Sequence, residues 1–420
     1  MTNSPDIPNL RHLRMVQMIG RLNGVSAAAR HVNTSQPAVT QAVATIETLI
    51  GAPLFDRRAT GTFPTEVGRL FLRRVDRFFE ILDAAIGDLL SRSEALPEPT
   101  RPQVERYVTG TQLRSLVVAA EPAMLEVTAS EMNVTSSSLF RSARTLERAL
   151  GRKMFDRTAD GPTCNQFGLY LARQVRRAVR EIEFGMAEVT QALGEDSQEI
   201  VVGLLPMAGT YEMAGAVRRF NRLRPTTRVS VRVGTYHALR DDLANCRIDM
   251  IFGLLRAPDT ETEVEEEAMF ADSYCIVCRP GHPLTRVRRV SAGVLAGYDW
   301  IAPVKGSQRR AAFEDLFTGT GLVPRGNIEV GSLNCARAIL LESDMVTVMA
   351  RSEIRLDLRL GTLVSVDCPA LENPTQKGVT TRSDWLPTEG HLQFLDCLRR
   401  ETAETARSET AGPQRVALAC

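Results

Sequence analysis

The run Ser35-Gln36-Pro37-Ala38-Val39-Thr40-Gln41 sets four hydroxyl and amide side chains within seven residues. Coiled as a helix, the segment turns Ala38/Val39, Ala42/Val43 and Ile46/Leu49-Ile50 inward and leaves Ser35, Gln36, Thr40 and Gln41 on the open face. Amides and hydroxyls presented this way suit the donor and acceptor pattern of base edges in a DNA groove. Downstream, Arg57 and Arg58 supply charge for backbone phosphates, which position a protein without reading sequence. A second set lies far along the chain. Lys305-Gly306-Ser307-Gln308 opens a helical stretch whose backbone donors and hydroxyl can seat a carboxylate or phosphate oxygen, with Lys305 and Arg309 adding positive charge. Cys275 and Cys278 form a CxxC inside the apolar run Tyr274-Cys275-Ile276-Val277-Cys278. Strand geometry sends those two thiols to opposite faces, so the pair is read as structural rather than as a redox or zinc site.

The elements that must hold the first set are legible around it. Leu10, Leu13, Val16, Met18-Ile19 and Leu22 form the apolar face of a helix, and Ser26 is the expected N-cap of a short second one. Asn33-Thr34 break the pattern, Ser35 starts the third helix with Pro37 in its first turn, and Gly51 closes it. Two short helices joined by a tight turn make a helix-turn-helix. Leu54 to Pro64 reads as a hairpin with a glycine at its bend, a wing carrying Arg57 and Arg58. Thr65 then caps a long helix whose Phe71, Val75, Phe78, Leu82, Ala85 and Leu89 alternate by four and three. That is a coiled-coil seam, and the expectation is that it pairs with another copy of the chain.

This pattern occurs twice. Leu13-Arg14, Asn33, Thr45, Glu47, Gly51, Phe55-Asp56-Arg57, Gly61, Gly68, Arg73, Val75 and Arg77 recur 100 residues later as Leu113-Arg114, Asn133, Thr145, Glu147, Gly151, Phe155-Asp156-Arg157, Gly161, Gly168, Arg173, Val175 and Arg177. A register kept over about 65 residues points to a duplicated fold unit. The second copy loses the Gln-Pro pair and is expected to carry Phe140 where the first has Thr40 on its open face, while Arg141, Arg144 and Arg148 make its third helix more basic. Two roles fit it. Ser136, Arg141, Arg144 and Arg157 can make a second DNA contact through phosphates, or the unit is a spacing and dimerising module; the latter is preferred because base readout needs side chains this helix lacks. Val175, Val179, Ile182, Met186, Val189 and Leu193 repeat the seam, again as an expected dimer contact. Ser91 to Pro102 is a Pro-rich, extended linker.

From Gln198 the period changes. Strands at 200–205, 229–233, 250–253, 300–302, 327–330 and 346–349 alternate with helices, which predicts an α/β layered domain with a mostly parallel sheet. Ligands in such sheets bind at the C-terminal ends of strands, against helix N-termini. The loops so placed hold Pro206, Met207, Gly209 and Thr210; His237; Gly306 and Ser307; Ser332 and Asn334. Ser307 and Ser332 equally suit plain helix caps, His237 suits a structural role, and His282 in Pro-Gly-His-Pro is read as structural.

The 420 residues are 44% hydrophobic and 24% charged with a net charge of +1, so any nucleic-acid contact must come from a local patch. Eight scattered cysteines suggest a reduced, cytoplasmic protein. The N-terminus has no apolar signal core and no run reaches a membrane span. With five histidines and no nucleotide-loop, GxSxG or ligand-spaced cluster, neither metal, cofactor nor enzymatic activity is expected.

With AAARHVNTSQPAVTQAVATIETLIGAPLFDRR and TEVG, the first copy resembles the winged helix-turn-helix and linker helix of LysR-type transcriptional regulators. The C-terminal half, through RIDMIFG at 247–253, PGHPL at 280–284, Gly306-Ser307 and RSDWLP at 382–387, resembles their effector-binding domain, itself similar to type 2 periplasmic binding proteins. Cys246 stands where that family usually has Gly. The resemblance implies a third helix in the major groove, with Ser35, Gln36, Pro37, Thr40 and Gln41 facing double-stranded DNA, a dimerising long helix, and a small-molecule effector between two subdomains. The expected organisation is a winged helix-turn-helix at 8–66, linker helix at 67–92, Pro-rich linker at 93–107, degenerate winged helix-turn-helix at 108–165, second linker helix at 166–195, effector domain at 198–402 and tail at 403–420. Subdomain I is placed at about 198–277 and 376–402, subdomain II at about 278–375. The expected function is a ligand-responsive, DNA-binding regulator, a homo-dimer or tetramer, answering to a small polar or anionic effector. The alternatives are a regulator-derived interaction module without DNA binding and a solute-binding protein.

Overall fold

The computed structural model describes residues 7–91, 108–131, 133–159, 161–195, 198–256, 263–371 and 374–410; the Pro-rich linker falls outside them. The chain forms two compact units, 1–198 and 199–420.

In the first unit, α1 (Leu10–Leu22), α2 (Val25–His31), α3 (Gln36–Ile50), the hairpin β1 (Phe55–Arg58) and β2 (Gly61–Pro64), and the long α4 (Glu66–Ser91) follow in order. The same order returns as α5 (Gly110–Ala119), α6 (Pro122–Glu131), α7 (Ser136–Leu150), β3 (Phe155–Thr158), β4 (Gly161–Cys164) and α8 (Gln166–Ala192). The residues that recur at the 100-residue spacing are scaffold. Asn33 and Asn133 both take φ 52° in the turn before the third helix, a left-handed conformation that asparagine tolerates. Glu47 Oε1 accepts from Leu54 N at 2.7 Å and Glu147 Oε1 from Met154 N at 2.7 Å, tying each third helix to its wing. A Cβ on Gly68 would lie 2.0 Å from the Leu54 carbonyl oxygen, and one on Gly168 2.5 Å from that of Met154, so only glycine lets each long helix start against its wing.

Several local expectations shift. Ser26 lies inside α2, which begins after Gly24 without a side-chain cap. Leu49 is exposed, because the buried stripe of α3 narrows to Val39, Ala42, Ile46 and Ile50. Phe140 does not stand on the open face. It packs edge-on against Phe155 with ring centroids 5.9 Å apart, filling the gap between α7 and the wing. Leu193 falls just beyond α8 and is exposed. The seam residues Phe71, Val75, Phe78, Leu82, Ala85 and Leu89 are buried as expected, and α4 packs along α8 of the same chain.

The second unit begins with β5 (Glu199–Leu204), α9 (Thr210–Leu223), β6 (Arg228–Val233), α10 (Tyr236–Ala244), β7 (Met250–Leu254) and β8 (Val264–Asp272). It continues through β9 (Tyr274–Cys278), α11 (Ala292–Leu295), β10 (Asp299–Ala302), α12 (Gln308–Asp315), β11 (Arg325–Glu329), α13 (Leu333–Leu341) and β12 (Thr347–Ala350). α14 (Arg355–Leu360), β13 (Val364–Val366), β14 (Thr375–Arg382) and α15 (Glu389–Thr410) complete it. One sheet runs β6-β5-β7-β14-β8; a second region holds β12-β9-β13 and the pair β10-β11. Neither region is mostly parallel. β6-β5-β7 and β10-β11 are parallel, whereas β14 pairs antiparallel with both β7 and β8, and β9 antiparallel with β12 and β13, because the chain crosses between regions and returns. The boundary therefore falls between Asp272 and Tyr274, not after residue 277. The expected tail also starts too early. α15 continues to Thr410, and Thr405 is buried with its hydroxyl on Glu212 Oε1 at 2.9 Å.

Two short motifs resolve as structure. Cys275 and Cys278 point into different apolar clusters on either face of β9, and burial pushes their thiols up to about 12 and about 11. His282 is fully buried, its Nδ1 accepting from Leu284 N at 3.0 Å and its Nε2 lying 3.1 Å from the Asp344 carbonyl.

Candidate functional site

Ser35 caps α3 by accepting from Ala38 N, and Pro37 sits in the first turn where no intrahelical donor is lost. Ser35, Gln36, Pro37, Thr40 and Gln41 are all exposed along one face. Thr45 and Thr48 turn their hydroxyls back to the carbonyls of Gln41 and Ala44, at 2.8 and 2.7 Å. Gln36, Thr40 and Gln41 have no such engagement among the described residues, so their polar groups are available to an external partner. In the wing Arg57 is exposed, while Arg58 lies 3.8 Å from Asp56 and over the Phe63 ring.

The second copy offers a different face. Ser136 starts α7 behind the cap Thr135, Arg141 and Arg157 are exposed, and Arg144 is half-buried. None of the three arginines pairs with a carboxylate among the described residues. Charge is free here, but the amide readers of α3 have no counterpart.

In the second unit the predicted ligand residues sit at helix starts. Ser307 Oγ accepts from Arg310 N at 3.1 Å and donates to the Val304 carbonyl at 2.6 Å; Ser332 caps α13 by accepting from Cys335 N at 3.4 Å. Both serines therefore work as caps. Asn334 is exposed and accepts from Arg337, and His237 is exposed beside Tyr236. Gly306 makes its turn at φ 77°. Pro206 and Met207 lead into α9, Met207 at φ 53°, which brings its Sδ 2.8 Å from Arg309 Nη1.

The start of α9 is already occupied by a carboxylate. Glu353, fully buried in the 3-10 turn Arg351–Ile354, accepts from Gly209 N and from Thr210 N at 3.1 Å, and its Oε2 accepts from the Thr210 hydroxyl at 3.0 Å. Negative charge at a helix N-terminus is favourable. Its presence shows what chemistry this spot holds. Arg309 stands close by in the opposite state. Desolvation pulls its guanidinium below the usual arginine range, against the pull of Tyr274 and Glu353, and no carboxylate lies within ion-pair distance among the described residues. Its one hydrogen-bond acceptor, a thioether, is weak. Tyr274, raised to about 12 chiefly by burial, lines the same region. In the sequence Arg309 reads only as a nearby charge and Tyr274 only as part of a strand; Glu353, 143 and 144 positions from its partners, has no local signal.

Comparison with known proteins finds a match in each of the two units. Residues 10–69 match the model of the bacterial regulatory helix-turn-helix protein, lysR family, and residues 193–403 match that of the LysR substrate binding domain. The chain belongs to the LysR family. It is a ligand-responsive transcriptional regulator with a DNA-binding head and an effector-binding domain. The regulator is 24% identical to the HTH-type transcriptional regulator GalR of Pseudomonas putida over 403 residues, 96% of this chain and 99% of that one. It is 26% identical over 250 residues to GbpR of Rhizobium radiobacter, 57% of this chain and 81% of that protein. Among solved structures, a full-length OxyR variant from Pseudomonas aeruginosa shares the fold with a TM-score of 0.53 at 18% identity, covering 70% of this chain and 93% of that one. Among the described residues no helix is long and apolar enough to cross a membrane, and no group of His, Cys, Asp and Glu is arranged to hold a metal ion.

Proposed function

We propose that α3 reads the operator and that residues 108–192 are a second winged helix-turn-helix that no longer does so. The observation that carries this is the contrast between the two third helices. α3 exposes Gln36, Thr40 and Gln41 uncommitted, whereas α7 has spent the position of Thr40 on the half-buried Phe140, engages the hydroxyls of Ser137 and Ser138 with Thr135, and offers arginines but no amide. Arginines without shape-matched partners hold phosphates and add affinity without discrimination. In the effector domain Arg309 is the group waiting for charge, so the effector is a small carboxylate or similar anion seated between Met207 and the start of α12. Binding shifts the population toward a closed cleft and alters the spacing or bend of DNA-bound heads.

The test is DNA binding to the upstream region of the chain's own gene, by anisotropy across salt concentrations. Gln36→Ala/Thr40→Ala is expected to lose sequence preference, by at least tenfold on the basis of roughly 1–3 kcal/mol per base contact. Arg141→Ala/Arg144→Ala should weaken specific and nonspecific DNA alike and flatten the salt slope by up to about 2. Loss of sequence preference in the second variant would make both heads readers. No binding by the unaltered chain would favour an interaction module.

A further inference from the structure

We propose that α4 and α8 are a matched, unequal pair built to close within one chain, so that a single chain carries a complete two-headed DNA-binding unit. Arg74 of α4 has no exposed surface. Its Nε donates to Glu188 Oε2 at 3.1 Å, its Nη2 to Glu188 Oε1 at 2.5 Å and its Nη1 to Glu181 Oε2 at 2.7 Å. Arg73 reaches Glu188 Oε1 from the solvent side at 3.1 Å. Between the two glutamates lies Gly185, whose Cβ, if present, would meet Arg74 Cβ at 3.1 Å and the Phe71 ring at 3.2 Å. Glu181, Gly185 and Glu188 follow at helical spacing on one face of α8, a socket that takes the Arg74 stem against the glycine and its guanidinium between two carboxylates. The helices run antiparallel, since residue 74 meets 181 and 188 while Tyr170 near the start of α8 donates to Asp88 near the end of α4 at 3.0 Å.

The lock is not self-complementary. At the 100-residue offset, Arg74 corresponds to Gln174, and Glu181, Gly185 and Glu188 correspond to Ile81, Ala85 and Asp88. Pairing α4 with α4 would set Arg74 against Ile81, Ala85 and Asp88, one carboxylate in place of two and a methyl in place of the glycine. Pairing α8 with α8 would set Gln174 opposite Glu181 and leave Glu188 only the outer Arg173. A buried charge without its partner is strongly disfavoured. The complete lock, an arginine seated on a glycine between two carboxylates, therefore forms only between α4 and α8. Taken with the reading of the two heads above, one chain would meet DNA with unequal halves, one read by α3 and one held by the arginines of α7. The pairing itself does not depend on that reading.

The experiment uses the full-length chain carrying Arg73→Lys, an exposed and conservative change, treated with a zero-length carbodiimide. Positions 73 and 188 should become linked, with the linked peptide recovered from the band of one chain's mass at every protein concentration. Recovery from a two-chain band, or from neither band, overturns the proposal. A complementation series gives a second readout. Arg74→Glu alone should weaken DNA binding at least tenfold, and so should Glu181→Lys/Glu188→Lys. All three changes in one chain should restore binding, while co-expression of the two defective chains should not. Restoration by co-expression would mean that α4 pairs with the α8 of another copy, and would overturn closure within the chain. Failure of DNA binding by the unaltered protein would sink the DNA reading and leave the cross-link result to decide the pairing.

Discussion

Cys246 adopts φ 56° in the turn between α10 and β7, a conformation in which a Cβ is crowded. This explains why glycine is usual at that position in the resembling family. Cys246→Gly should stabilise the protein by roughly 0.5–1 kcal/mol, the relief of left-handed strain less the added chain entropy of glycine, as a higher urea midpoint. A lower midpoint would show that contacts of the Cys246 side chain outweigh the strain. Glu212 in the first turn of α9 is another local tension. Burial pushes its carboxyl above the usual 4.5, opposed by its own backbone amide, Lys377, the Thr405 hydroxyl and Arg355. A carboxyl raised on folding adds stability while protonated and loses it as pH rises through the folded value. Glu212→Gln should therefore gain on the unaltered chain as pH climbs above 4.5, read by thermal unfolding; a gap that narrows as pH rises would contradict this. Arg309 belongs to the same scale. Arg309→Met should raise the stability of the ligand-free protein by about 1 kcal/mol, since an apolar chain replaces a desolvated cation, and should abolish thermal stabilisation by small carboxylates. Retained stabilisation would move the anion seat elsewhere.

Among elements, α8 gives the sharpest case. Gly185→Ala raises helix propensity by about 1 kcal/mol. The added methyl, however, must push α4 outward at Arg74 and Phe71, and overpacking costs about 1–3 kcal/mol. The expected sum is a destabilised first unit, measured by chemical denaturation; a stabilised variant would mean the helices separate freely. The elements also show how far local signals reach. Ser35, Pro37 and Gly51 mark α3 to within a residue because capping and left-handed closure are decided by immediate neighbours. Phe140 departs from the open face because periodicity fixes where a side chain points but not how far a large ring bends toward a neighbour such as Phe155.

For the molecule as two compact units, stability should be divisible. Lys377, fully buried, donates to Asp272 and to Ser352 Oγ, the latter at 2.7 Å, where the chain crosses between the regions of the effector domain. Lys377→Met leaves Asp272 buried without its cation and should cost about 3–5 kcal/mol. Calorimetry should show this in one transition only, that of residues 199–420. A common shift of every transition would mean the units unfold together.

What the residues by themselves determined is short-range: the recurring order of helices and hairpin, the polar face of α3, the first hairpin, the alternating strands and helices of the second half. Each rests on dihedral limits, caps and periodicities acting over a few positions. The tertiary structure alone decided which seam meets which and what fills the start of α9. An apolar stripe repeating by four and three says that a partner must be apolar, and either long helix offers one. The choice fell to charges 107 and 114 positions apart, Arg74 with Glu181 and Glu188. Likewise the carboxylate on Gly209 and Thr210 comes from Glu353, which reaches them only because the chain has crossed between regions and come back. Buried charge is settled by whatever the fold brings within hydrogen-bond distance, and sequence separation carries no record of that distance.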